Sequence, residues 1–261
     1  SDYSKSFAGT FDGQNPDTGE IYTISGLYTK KTGVANNMNN WCAGLFGRTA
    51  EGATVKNVKV ERSYFEGSTN NGVIGHATGT TIENVYSNAT VVTTGTQNGG
   101  IVGAMVGGTI DSAWFDGKIQ SKDQFVGGIV GLANTDAVIR NCLMTGSLEN
   151  AYSSTNAYAG GLVGCASGNI TLTNSVSAAK TLTATAKRVG AAIGSANAGT
   201  VTVTMDEVYV IAGIHKFAVG EGATGTVTEQ PWVMPTLDGY NGYTLTKLDF
   251  TDKWIAVDGK T

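Results

Sequence analysis

Three prolines, three cysteines and two histidines are all that the 261 residues hold of those types, and each scarcity excludes something. So few prolines exclude a collagen-like or proline-rich chain. Cys42, Cys142 and Cys165 are an odd number with no CxxC spacing, so neither a disulfide framework nor a zinc site is expected, and the three read as small buried hydrophobes. Charged residues make up only 15% of the chain, against about 25% in an ordinary domain. The net charge of −4 with 17 basic residues gives no footprint for nucleic acid. No apolar run approaches the roughly 20 residues that span a bilayer, so membrane insertion is not expected. Ser1-Asp2-Tyr3 opens without a basic and apolar leader, so any signal peptide is expected to be missing from this sequence.

Glycine is abundant instead, with 37 residues, about twice the usual share of roughly 7%. Much of it falls in a recurring apolar-glycine signature: GLFG (44–47), GVIG (72–75), GIVG (100–103), GIVG (128–131), GLVG (161–164) and AAIG (191–194). Successive last glycines are 28, 28, 28, 33 and 30 residues apart. A fixed period of this length marks a solenoid, in which each unit has an apolar face that only its neighbours can cover.

More of the unit repeats. Nine or ten residues after the glycine of the first five copies stand Asn57, Asn84, Ser112, Asn141 and Asn174. Two residues before them come Val55, Ile82, Ile110, Ile139 and Leu172, and directly after them Val58, Val85, Ala113, Cys142 and Ser175. Two further on are Val60, Ser87, Phe115, Met144 and Ser177, and the last inward position holds Tyr64, Val91, Ile119, Leu148 and Leu182. Such alternation has the strand period. The pattern predicts an all-β fold, a parallel β-solenoid whose coils of about 28 residues carry three short strands, with corners at the Asn position and at the glycine-rich segments. Asn suits a corner because it tolerates left-handed backbone, and stacked Asn side chains can form an amide ladder. With coils about 4.8 Å apart, the rod is expected to be roughly 30 Å long before its caps.

In the divergent first unit, Ile24-Ser25-Gly26-Leu27 is expected to take the place of Ile82-Glu83-Asn84-Val85, with Phe11-Asp12-Gly13 on the strand before it and 14–20 as an inserted loop. Val201-Thr202-Val203-Thr204 begins another coil. One solenoid domain over 1–261 is expected, with coils over 7–204. The last coil and a cap that protects the open edge occupy 205–261, where Trp232, Trp254, Tyr240 and Tyr243 fall.

The repeated G-[LIV]-[apolar]-G followed by I-x-N-V resembles the GLUG-motif repeats of bacterial surface and secreted proteins. Phe7-Ala8-Gly9-Thr10-Phe11-Asp12-Gly13 with Ile24-Ser25-Gly26-Leu27 looks like that family's entry segment, and Trp254-Ile255-Ala256-Val257-Asp258-Gly259 is similar to its exit. The resemblance implies a right-handed β-solenoid, exported and displayed at or beyond the bacterial cell surface, in adhesins or outside the catalytic part of large secreted proteases. It carries no catalytic residue. This chain departs from the pattern at AAIG and at Ser112, and its abrupt ends lead us to expect a longer parent polypeptide.

If the Asn corner resets the alternation, the second residue past it points outward. That column reads Lys59, Tyr86, Trp114, Leu143 and Val176, flanked by Glu83, Asp111 and Arg140 on one side and Asn88, Asp116 and Thr145 on the other. An aromatic strip edged with carboxylates and amides suits contact with a glycan or an extracellular protein. Tyr86, Trp114, Leu143, Asp111 and Asp116 are therefore the candidate ligand-binding residues. The same face offers Glu83, Asp111, Asp116 and Asp136 as an acid/base set for a sugar-cleaving enzyme, although scattered outward carboxylates are ordinarily a solvated surface. A third reading is a structural spacer.

Other chemistry finds little support. His76 and His215 have no nucleophile at triad spacing, Gly220-Glu221-Gly222 lacks a phosphate-loop lysine, and no calcium-binding nonapeptide occurs. No cofactor or metal is expected. The alternating Thr of 200–204 hints at an ice-binding plane, but its expected equivalents, Glu83, Asp111 and Arg140, break any regular Thr array.

Overall fold

The computed structural model describes residues 6–31, 42–185, 188–197, 199–221 and 224–234. The proposed exit segment, Tyr240, Tyr243 and the cap beyond 234 lie outside them. The described chain is all-β without a helix and winds as a parallel β-solenoid of about six turns, about 29 residues each, around three main sheets.

The largest sheet has 10 strands. Its long members are Thr54–Glu61, Thr81–Ser87, Thr109–Phe115, Ala137–Met144, Ile170–Ser177 and Thr202–Ile211, each pairing in parallel with the next. Register stacks Val55, Ile82, Ile110, Ile139, Leu172 and Met205 in one inward file. A second sheet of six strands carries the signatures, from Phe46–Thr49 to Ile193–Ala196. A third sheet of six runs from Tyr28–Lys30 to Thr181–Ala184. A fourth, four-stranded sheet of two- and three-residue strands lies just before the signatures.

The corner in the long strands sits where expected. Asn57, Asn84, Ser112, Asn141 and Asn174 have φ of 54°, 52°, 65°, 55° and 50°, and Glu207 holds the next corner at 52°. A left-handed residue turns the strand, so the alternation restarts and both halves point apolar side chains inward. One core runs from Ala43 to Val210, each buried aliphatic or aromatic side chain contributing about 1.5–3 kcal/mol. At its N-terminal end Phe46 packs against Phe7 and Phe11, with ring centroids 5.0 and 5.3 Å apart.

The two glycines of a signature serve different neighbours. A Cβ on Gly100 would fall 2.2 Å from the Phe115 ring, inside the coil. A Cβ on Gly103 would fall 2.6 Å from the backbone of Asn70 and Asn71, on the outside. The glycine-rich segment is therefore a close double layer of backbone, a short strand lying over the second sheet.

Three expectations shift. Phe65, not Tyr64, continues the file of Val91 and Ile119, because Arg62, with φ 45°, adds one residue to that bend. In the first coil Phe11, not Ile24, stacks on Val55, while Ile24 lies beside Val60. The inserted loop leaves the coil at the corner itself, closed by a bridge between Gln14 and Ile21. Thr204 stacks on Thr171 rather than on the charged column; the same outward file continues through Val138, which interrupts it, to Thr109, Thr81, Thr54 and Thr10. The file beside it is charged, so a flat array two threonines wide does not form.

Candidate functional site

Beside the corner, the residue before each left-handed position, with Asp12 at the matching place in the first coil, forms the outward file Asp12, Lys56, Glu83, Asp111, Arg140, Thr173 and Asp206. Opposite charges fall next to each other. Lys56 lies 3.2 Å from Asp12, and Arg140 2.8 Å from Asp111.

These carboxylates anchor the amide ladder. Asn57 donates to Asp12 at 2.9 Å, and Asn84 donates to Asn57 at 2.9 Å. The run is broken at Ser112, whose hydroxyl bonds to Asp111 at 3.0 Å. It then starts again, Asn141 donating to Asp111 at 2.6 Å and Asn174 to Asn141. Each run thus begins on a carboxylate paired with a cation, the stronger kind of hydrogen-bond acceptor. Burial alone would raise the Asp111 carboxyl, but hydrogen bonds from Asn141, Arg140 and Ser112 outweigh it and hold the group below its usual range.

On the other side of the corner, the second residue past it gives the file Lys59, Tyr86, Trp114, Leu143, Val176, Tyr209 and Trp232. None of them belongs to the central core, and Leu143, Val176 and Tyr209 pack with Ala178, Ile211 and Met234 as a separate apolar cluster. Tyr86 and Trp114 meet edge to face with centroids 5.1 Å apart. The Trp114 indole N–H donates to the Thr145 hydroxyl at 2.7 Å, Thr145 donates to Asp116 at 2.8 Å, and Lys180 bonds the same carboxylate oxygen at 2.8 Å.

All five candidate binding residues therefore lie around one corner face, Asp111 before the corner and Tyr86, Trp114, Leu143 and Asp116 past it. Their exposure differs from the expected open strip. Tyr86 is buried, with 2% of its surface exposed, whereas Trp114 and Leu143 are half-buried and Trp232 is 62% exposed. Glu83 is exposed one rung from Asp111, while both Asp111 oxygens and one Asp116 oxygen are engaged within the protein.

Burial explains the remaining reactive groups. It pushes the Cys142 and Cys165 thiols up to about 12, far from a reactive thiolate. Burial, helped by Arg48, brings His76 down to about 4. Among the described residues no group of three or more His, Cys, Asp or Glu side chains is placed to hold a metal.

Two arrangements went unread in the sequence. Asn71 and Asn98 form a second, buried ladder, joined at 2.9 Å, at the outer layer of the signature. Their sequence signal is an asparagine directly or two residues before the first glycine of the motif. Tyr28 and Tyr64 stack in the third sheet, centroids 5.3 Å apart and planes 9° from parallel; the one-residue bend at Arg62 hid that register.

Neither a scan against protein-family models nor a search of the curated proteins gave a match. Among solved structures the chain is similar to a protein from Bacteroides ovatus described as a candidate immunoglobulin A1 protease. The TM-score is 0.63 at 17% identity over 85% of this chain and 69% of that one. At this identity the likeness speaks for the β-solenoid fold alone.

Proposed function

We propose that this solenoid is a non-enzymatic ligand-binding or adhesion module of a secreted or surface-anchored bacterial protein. The observation that supports it is the outward file centred on Trp114. Large apolar side chains follow one another over successive coils, outside the core that closes the coils. Its accessible part is the half-exposed pair Trp114 and Leu143, with the indole held in place by Thr145. An oriented tryptophan with polar groups at its rim suits a glycan or an extracellular protein. The carboxylates nearest to it serve the scaffold, Asp111 beneath the amide ladder and Asp116 between Thr145 and Lys180. The fold neighbour is compatible with a part of an exported protein.

A glycan array and a panel of host-matrix proteins test this reading. Trp114→Ala should weaken the binding of the tightest hit by about tenfold or more. Asp111→Asn and Asp116→Asn should leave it within about threefold. Hydrolysis of a glycan that either Asn variant abolishes would replace this reading with a carbohydrate-active enzyme, and silence on both panels would leave a spacer.

A further inference from the structure

The third sheet carries an aromatic surface away from the Trp114 file. Tyr28–Lys30 is the first strand of that sheet. Thr29 stacks on the fully buried Phe65, so the alternation turns Tyr28 and Lys30 outward together. Tyr64 covers one face of the Tyr28 ring. No strand of this sheet precedes Tyr28 among the described residues, and the side chain is 69% exposed, more than any other large hydrophobic described. The rings are braced from the neighbouring file: the Tyr64 hydroxyl donates to Glu66 at 2.8 Å, and Lys30 lies 3.1 Å from the other oxygen of Glu66.

We infer that the open face of Tyr28 is a subsite for one neutral pyranose ring, distinct from the surface around Trp114. A sugar presents a flat C–H face that stacks on a tyrosine ring and a rim of hydroxyls that both donate and accept. Glu66 still has lone pairs free and Lys30 a proton to donate, so acceptor and donor stand side by side next to the ring. Their charges cancel, which favours a neutral ligand over an ion. Past Tyr64 the file continues as Thr90, Lys118, Ser147 and Thr181, so the aromatic surface is one ring deep. It takes a single unit or a chain end, with a dissociation constant on the order of 1 mM.

The test is saturation-transfer and chemical-shift NMR with the methyl glycosides of glucose, galactose, mannose and N-acetylglucosamine, on wild type, Tyr28→Phe, Tyr28→Ala and Trp114→Ala. Read from the shifts of residues 28–30 and 64–66, at least one glycoside should bind wild type, Tyr28→Phe and Trp114→Ala within about threefold of one another, and Tyr28→Ala about tenfold more weakly. Because Tyr28 is exposed, the Ala variant should keep the wild-type circular dichroism spectrum. No binding by any of the four, or binding that Tyr28→Ala leaves unchanged, overturns the subsite. Loss on Trp114→Ala alone overturns it too, while leaving the proposed function standing.

Discussion

Asn141 accepts from Asn174, donates to Asp111 at 2.6 Å, and does so from a left-handed backbone with φ 55°. Two contributions meet in that side chain, and substitution separates them. Asn141→Gly removes the ladder bonds while keeping the conformation, and should lower unfolding stability by about 1–2 kcal/mol in urea melts. Asn141→Ala should cost about 1 kcal/mol more, since alanine also resists positive φ; equal losses would mean the corner is unstrained. His76 makes a different claim. Burial, then Arg48, depresses it to about 4, below the roughly 6.5 of an unfolded chain. The unfolded state therefore binds more protons between those values, and stability falls as pH drops from about 6.5 to 4. Thermal melts of His76→Gln should show a smaller loss across that window, and an identical pH profile would mean His76 is not held neutral. The Asn corner is legible in the sequence because its residue type and spacing repeat. That Asp111 replaces the missing amide at Ser112 is not, since that depends on which side chains sit side by side one coil apart.

Among the elements, the glycine signature does the most to fix the coil, and its demands vary along the rod. A Cβ on Gly103 would collide with backbone at 2.6 Å, whereas one on Gly47, at the same motif position in the first coil, meets nothing closer than 3.8 Å among the described residues. Gly103→Ala should therefore cost about 3 kcal/mol or fail to yield soluble protein, while Gly47→Ala should melt within a few degrees of wild type. Comparable melting of the two would show that the outer strand does not press on the signature. The motif itself was plain from the sequence. Its double role, one glycine facing Phe115 and the other facing the next layer, is set by the fold and not by residue type, which is the same at both positions. The outward strip follows the same lesson. Its register followed from the corner, but the burial of Tyr86 beside a half-exposed Trp114 depends on what packs around each ring.

For the molecule as a whole, a stack held by nearest-neighbour contacts should tolerate the loss of one complete coil. Deleting 103–130 joins Val102 to Gly131, and Val102 and Val130 already occupy one file. The shortened chain should fold with a β-type circular dichroism spectrum, and Asn141 should then meet Asn84, restoring an unbroken amide ladder. Deleting 103–116 alone, half a coil, should abolish folding; a folded half-coil variant would contradict the stacked register. Acid should weaken the rod as well. Hydrogen bonds to Asp111 outweigh its burial and depress its carboxyl, so its contribution is complete above the unfolded value of about 3.9 and is lost as pH falls through the lower folded value. Asp111→Asn should flatten the fall in melting temperature below about pH 4. What the amino-acid sequence determined alone is the period, the strand alternation, the corner residue and hence the stacked coil, because each is a local pattern repeated often enough to outweigh any single departure. What only the tertiary structure decided is which side chains on that scaffold stay accessible, which carboxylates are consumed as anchors, and that Tyr28 stacks on Tyr64. Those outcomes arise between coils, where a one-residue bulge or a neighbour about 29 positions away sets the environment of a side chain.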